Sequence, residues 1–144
     1  MTDRPNLEAL LDAVRMHIES AVLPVVRADQ RLYFQTLVAL NMLKIAQREV
    51  ASGADMLRSE WDGLNTLLGE LRAVPHRDSE LTEALRVRYY ALCDAIRRGD
   101  YDYHPASSRL IDFLEPVITA QLILNNPGLA RRIGDELSSG TFAE

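Results

Sequence analysis

Apolar residues recur at spacings of three and four along almost the whole of this 144-residue chain, the signature of amphipathic helices. A first helix is predicted from Asn6, a good N-cap, with Glu8 in its first turn. Leu7, Leu10, Leu11, Val14, Ile18, Ala21 and Val22 form its stripe, and Pro24 ends or kinks it. A second helix spans about Asp29 to Ser52, with Gly53 as a left-handed cap. Leu32, Phe34, Leu37, Val38, Leu40, Met42, Leu43, Ile45 and Val50 cover more than half its circumference. A helix apolar on several sides is packed on several sides, so this one is expected to be the central element.

A weaker third helix, about Ala54 to Leu68, carries Met56, Leu57, Trp61, Leu64, Leu67 and Leu68 and stops at Gly69. After a connector containing Pro75 and His76, a fourth helix starts with Ser79 as its cap. Its stripe is Leu81, Leu85, Tyr89, Leu92 and Ile96, and it ends at Arg97-Arg98-Gly99. A fifth begins with Pro105 in its first position, beside a capping His104, and runs through Leu110, Phe113, Leu114, Val117, Ile118 and Leu122 to Asn125, with Pro116 inside it. A short sixth covers Pro127 to Leu137, and residues after about 138 are expected to fray. No useful period-two alternation appears. The fold expected is all-α: one domain over 1–144, an antiparallel bundle of four main helices with a weaker helix and a short C-terminal one.

Composition narrows the function. Apolar residues make up 47% of the chain, enough for a core, and the net charge of −5 argues against nucleic acid, which wants a concentrated basic surface. Arg97–Arg98 and Arg131–Arg132, each followed by acid, read as helix-end charges. Cys93, the single cysteine, excludes an internal disulfide and reads as a small buried thiol. The first residues hold no apolar leader, and Leu37 to Leu43, broken by Asn41, is too short to span a bilayer. A cytoplasmic location without membrane contact follows as the expectation.

Catalytic patterns are missing. Neither Glu-x-x-His, His-Glu-x-x-His, paired Cys-x-x-Cys, Gly-x-Ser-x-Gly nor a Gly-rich loop with Lys occurs. Asp100, Asp102 and His104 are the nearest approach to a metal site, with helix capping and solvation as the plainer reading. No metal and no cofactor are expected. Polar residues on apolar stripes carry more information. Asn41 lies four residues after Leu37 and four before Ile45; Gln121 and Asn125 continue the Leu114–Ile118 face as amides. They form either an interhelical amide network that fixes register or a patch that meets a ligand or partner. Of the adjacent Tyr89 and Tyr90, one must point away from the core.

Several segments together resemble a known family. They are Arg4-Pro5, Val22-Leu23-Pro24, Arg31-Leu32-Tyr33-Phe34, Val38-Ala39-Leu40-Asn41, Arg48-Glu49 and Leu124-Asn125-Asn126-Pro127. The set resembles small helical bacterial proteins encoded beside aminoglycoside-phosphotransferase-like kinases and acyl-CoA dehydrogenase-like proteins. One branch looks like the small subunit of a hydroxyacyl-CoA kinase of levulinate-type catabolism. The resemblance spans about residues 4 to 128, and departs from the family where Leu37 replaces Arg and Gln121 replaces Lys. It implies a non-catalytic accessory subunit that binds such a kinase. The excess apolar circumference of the second helix around Asn41 and the amide end of the fifth helix make Val38, Asn41, Met42, Gln121, Asn125 and Asn126 the candidate interface residues. A charge at Val38 or Met42 would then weaken association. The rivals are a stand-alone small-molecule-binding bundle, as a homodimer, with its pocket near Asn41, Gln121 and Asn125, and an enzyme using Asp100, Asp102 and His104.

Overall fold

A computed structural model describes residues 5–139. Arg4, and the tail past 139 for which fraying is expected, lie outside the described residues. The elements run α1 (Leu7–His17), a π-helical turn (Ile18–Val22), α2 (Leu23–Val26), α3 (Gln30–Leu68), α4 (Asp78–Arg97), α5 (Ala106–Asn125) and α6 (Pro127–Ser139). Among the described residues there is no strand, and the fold is all-helical. No helix among them is long and apolar enough to cross a membrane. The chain forms two compact units, Met1–Gly53 and Ala54–Glu144, divided within α3.

In the first unit, the Asn6 side chain accepts from the Ala9 N–H at 2.8 Å and caps α1, as its sequence position predicts. Pro24 neither ends nor breaks the helix at once. The turn before it widens to π geometry, with the Leu23 N–H bonded to the Ile18 carbonyl, and this relieves the clash between a proline ring and the preceding turn. The chain reverses at 27–29, and Asp29 Oδ1 then accepts from the N–H groups of Arg31 and Leu32, both at 3.0 Å, starting α3. Two polar bridges lay α1 antiparallel on the first half of α3. Gln47 Nε2 donates to Asp12 Oδ1 at 3.2 Å, and Lys44 Nζ stands 3.0 Å from Glu19 Oε1. Arg15 joins Asp12 (2.7 Å) to Glu19 (2.6 Å) along the same side.

The first half of α3 is not packed on several sides. Leu40, at 4% exposure, is the buried hydrophobic residue of this unit among the described residues, while Phe34, Leu37, Val38, Met42 and Val50 are exposed. The reason is geometric: an apolar surface covering more than half a helix needs neighbours on several sides, and α1 lies along one. Gly53 is not a cap either. It sits inside α3, which merges the two helices expected from sequence into one of 39 residues. A glycine costs a helix about 1 kcal/mol, which flanking helix formers and tertiary packing absorb.

The second unit holds the core. Trp61 and Leu64 from α3, Leu81, Leu85 and Leu92 from α4, and Phe113 from α5 form one buried cluster. Each such side chain stabilises the fold by about 1.5–3 kcal/mol. Gly63 lets Phe113 approach, because a Cβ there would stand 2.9 Å from its ring. Left-handed glycines end α3 and α4, Gly69 at φ 65° and Gly99 at φ 87°. From Gly69 the connector folds back along α3: the Arg72 carbonyl accepts from Trp61 Nε1 at 3.0 Å and from Asn65 Nδ2 at 2.9 Å.

Four local expectations shift. Helix α4 begins at Asp78 rather than after a Ser79 cap, since the Asp78 carboxylate meets both the positive helix end and Arg58, 3.3 Å away. Helix α5 begins at Ala106, so Pro105, not His104, precedes its first turn. Cys93 is exposed, not buried, because it stands about 100° around α4 from the inward Leu92. Arg131 and Arg132 lie within α6 instead of at a helix end, and Arg131 Nε donates to the Pro127 carbonyl at 3.3 Å.

Candidate functional site

The residues singled out in the first unit share one face of α3. Val38, Asn41 and Met42 stand at three- and four-residue spacing, and all three are exposed. Phe34 (67% exposed) and Met42 (65%) are the most open apolar side chains of this helix, and Leu37 stands beside them. Asn41 is therefore not an amide buried in a network. It interrupts an open apolar seam.

In the second unit, Gln121, Asn125 and Asn126 are exposed at the end of α5. Their amides do not form an interhelical network. Asn125 Nδ2 donates to the Gln121 carbonyl at 2.9 Å, within the helix, and Asn126 Oδ1 accepts from the Leu129 N–H at 3.1 Å, capping α6. One helical turn before Gln121 the same outer side of α5 carries Ile118 (60% exposed), and two turns further back Ile111 (61%). Phe113, Val117 and Leu124 point the other way, toward the core or its edge. The outer face of α5 thus carries the open Ile111 and Ile118 with the exposed Glu115 between them, and it ends in amides.

One constellation is absent from the sequence reading. Arg88 is buried on α4 with its guanidinium 4.4 Å over the Trp61 ring. It donates to the Trp61 carbonyl at 3.4 Å and to Glu70 Oε2 at 3.1 Å, while its Nε–H has no partner. Glu70 also holds Arg72 at 2.8 Å. Burial pulls the Arg88 guanidinium below the usual arginine range, with Glu70 opposing that fall. Beside it, Tyr89 donates to buried Glu60 at 2.8 Å; burial first and that carboxylate second push the phenol well above its usual range. Tyr90 points outward beneath Arg86, as the adjacency of the two tyrosines requires. Arg88 lies three residues after Leu85 and four before Leu92, on the apolar stripe of α4 itself, so its spacing marks it as inward-facing, while its partners show only where the connector folds over it. The group is a clamp: it ties the returning connector to α3 and α4.

The match to a protein-family model decides the relationship. That model, described as Domain of unknown function (DUF6285), matches residues 26–129, more than two thirds of the chain. The chain belongs to this family. The DUF6285 segment takes in α3, α4 and α5 whole and leaves α1 outside. Both open faces, on α3 and on α5, therefore lie on family elements, as does the Arg88 clamp. No curated protein and no solved structure matches the chain.

The remaining groups are placed as follows. Asp100 pairs with Arg98 at 2.8 Å, Asp102 and His104 are exposed, and no group of three or more His, Cys, Asp or Glu among the described residues is placed to hold a metal ion. A depression in the first unit is lined by Asn6, Glu8, Ala9, Asp12 and Gln47. It takes in none of Asn41, Gln121 and Asn125. Hydrogen bonds from Arg15 and Gln47 hold the Asp12 carboxyl below its usual range, and Lys44 does the same for Glu19.

Proposed function

We propose that this chain is a non-catalytic accessory subunit that binds and supports an aminoglycoside-phosphotransferase-like kinase acting on hydroxyacyl-CoA substrates. The kinase identity rests on the resemblance carried by segments such as Arg31-Leu32-Tyr33-Phe34 and Leu124-Asn125-Asn126-Pro127. The structural observation in its favour is the outer face of α5. Ile111 and Ile118 are open there, next to Gln121 and Asn125. Two open isoleucines set among a carboxylate, Glu115, and amides have the composition of a protein interface, in which desolvated anchors supply affinity and a polar rim supplies fit. In this arrangement the kinase supplies the nucleotide, the metal-holding carboxylates and the base that phosphoryl transfer needs. This chain supplies a docking surface that holds the kinase in its working form.

The test is association. A kinase of this class encoded beside the gene should form a complex with the chain when the two are mixed. Ile118→Glu should weaken it at least about ten-fold, the loss expected when an interface anchor meets a desolvated charge. Helix content should stay unchanged, because Ile118 faces away from the core. A kinase that stays uncomplexed at tens of micromolar would overturn the proposal.

A further inference from the structure

Helix α1 does not meet α3 with its apolar side. A helix that packs for apolar burial turns its stripe inward. Here Leu7, Leu10 and Val14, one edge of that stripe, are about half exposed. The side turned toward α3 carries Asp12, Arg15 and Glu19, at steps of three and four residues and all partly buried. Two of them make the bridges to α3: Asp12 accepts from Gln47, and Glu19 pairs with Lys44. Arg15 stands between them, held by both carboxylates. Leu11 and Ile18, only partly buried, add an apolar share. No residue of α1, the π turn or α2 is buried.

Three observations point to a reversible contact. The bridging side chains are open to solvent ions, Lys44 at 46% exposure and Glu19 at 33%, and pairs of that kind are weak and screened by salt. The joint with α2 is a π turn before Pro24, the kind of break at which helices bend. The family match begins at residue 26, so α1 is laid on a family helix from outside the family segment.

We propose that α1 is a strap held on α3 by charge, closed over Leu40 at low ionic strength and lifted from it when its ion pairs are screened. Leu40, Lys44 and Gln47 follow one another on α3 at steps of four and three, so the bridged side is also the side of Leu40. With α1 closed, Leu40 is 4% exposed. With α1 lifted, this side of a family helix is opened. The strap thus governs access to α3. It is a property of this chain alone and stands or falls apart from the kinase proposal.

Thiol labelling reads the strap directly. In a Cys93→Ser background, Leu40→Cys sets a single thiol beneath α1. N-ethylmaleimide is uncharged, so its own approach is indifferent to salt. Between about 20 and 500 mM sodium chloride the labelling rate should rise about two- to five-fold, the change expected from losing an exposed ion pair. Met42→Cys, at a position already 65% exposed, should show no such rise. Lys44→Gln removes the bridge to α3 and leaves the Arg15 pairs of α1 intact, so it should bring the low-salt rate at Leu40→Cys to about the high-salt rate. Because Leu40→Cys trims a buried side chain, hydrogen exchange of the unaltered chain gives a second reading. Amides of residues 8–22 should lose protection in salt, and also in Lys44→Gln without salt, while those around Trp61 and Leu81 keep theirs. A Leu40→Cys rate that stays flat, or that rises only as much as that of Met42→Cys, overturns the proposal. So does a Lys44→Gln chain that labels and exchanges like the parent, or α1 exchange that rises in salt while Leu40→Cys stays closed, which is fraying within α1 and not lifting.

Discussion

Replacing Arg88 separates what its stem does from what its charge does. The guanidinium lies on the Trp61 ring at 4.4 Å, a desolvated cation–π contact of about 1–2 kcal/mol. Its ion pair with Glu70, whose side chain is 32% exposed and already holds Arg72, adds only about 0.5 kcal/mol once screening is counted. Against both stands the buried Nε–H without a partner, a cost of about 1–3 kcal/mol. The charge is thus close to neutral in net effect, while the stem fills space beside Trp61. Arg88→Met keeps that volume and removes the orphan donor, so its stability should lie within about 1 kcal/mol of the parent. Arg88→Ala leaves a hole beside the ring and should cost about 2–4 kcal/mol. Trp61 is the only tryptophan, so urea unfolding followed by its fluorescence reports on the second unit directly. Equal large losses in both variants, with the denaturant slope unchanged, would refute this division and make the ion pair itself the clamp.

Two further outcomes follow from local geometry. Gly63→Ala should destabilise by about 1–3 kcal/mol, because its Cβ would stand 2.9 Å from the packed Phe113 ring. Gly53→Ala should stabilise by a few tenths to about 1 kcal/mol, since the atoms nearest its Cβ belong to the movable end of the Glu49 side chain; thermal melts of the two variants check both signs. Tyr89 makes stability fall in alkali: its phenol holds its proton in the folded chain above the usual value of 10.0, while the unfolded chain releases it there. Stability from this group is therefore complete below pH 10 and declines above it. Tyr89→Phe should lose that slope in denaturant titrations run from pH 9 to 11, values set around that usual tyrosine value of about 10.

Much of the fold is legible in the sequence because it follows from spacing. The stripe Leu81, Leu85, Leu92 on α4 and the Asn6 cap need only helical geometry and one hydrogen bond each, and both stand where they are read. Burial is less legible. The first half of α3 carries the chain's richest apolar pattern, yet among the described residues Leu40 is its one buried large apolar side chain, since pattern records what a surface prefers and not how many neighbours the fold supplies. Gly53 shows the same limit: a glycine permits a stop without requiring one. The Arg88 clamp is legible only in part: its place on the α4 stripe marks burial but not what it meets. Its partners Trp61 and Glu70 lie 27 and 18 residues away, and they meet only because the connector doubles back along α3. The Asn125 amide proves local in its bonding, which leaves the open Ile111 and Ile118, not the amides, as the stronger feature of that face.

We propose that this chain serves a kinase it does not replace. Light-scattering mass measurement of the chain mixed with the neighbouring kinase, with ATP turnover on a hydroxyacyl-CoA followed in the same fractions, tests it most directly. The expected result is one hetero-oligomeric peak that carries the activity, no turnover by this chain alone, and loss of the complex in Ile118→Glu. Two separate peaks at concentrations well above micromolar, or ATP turnover by this chain without the kinase, would contradict it.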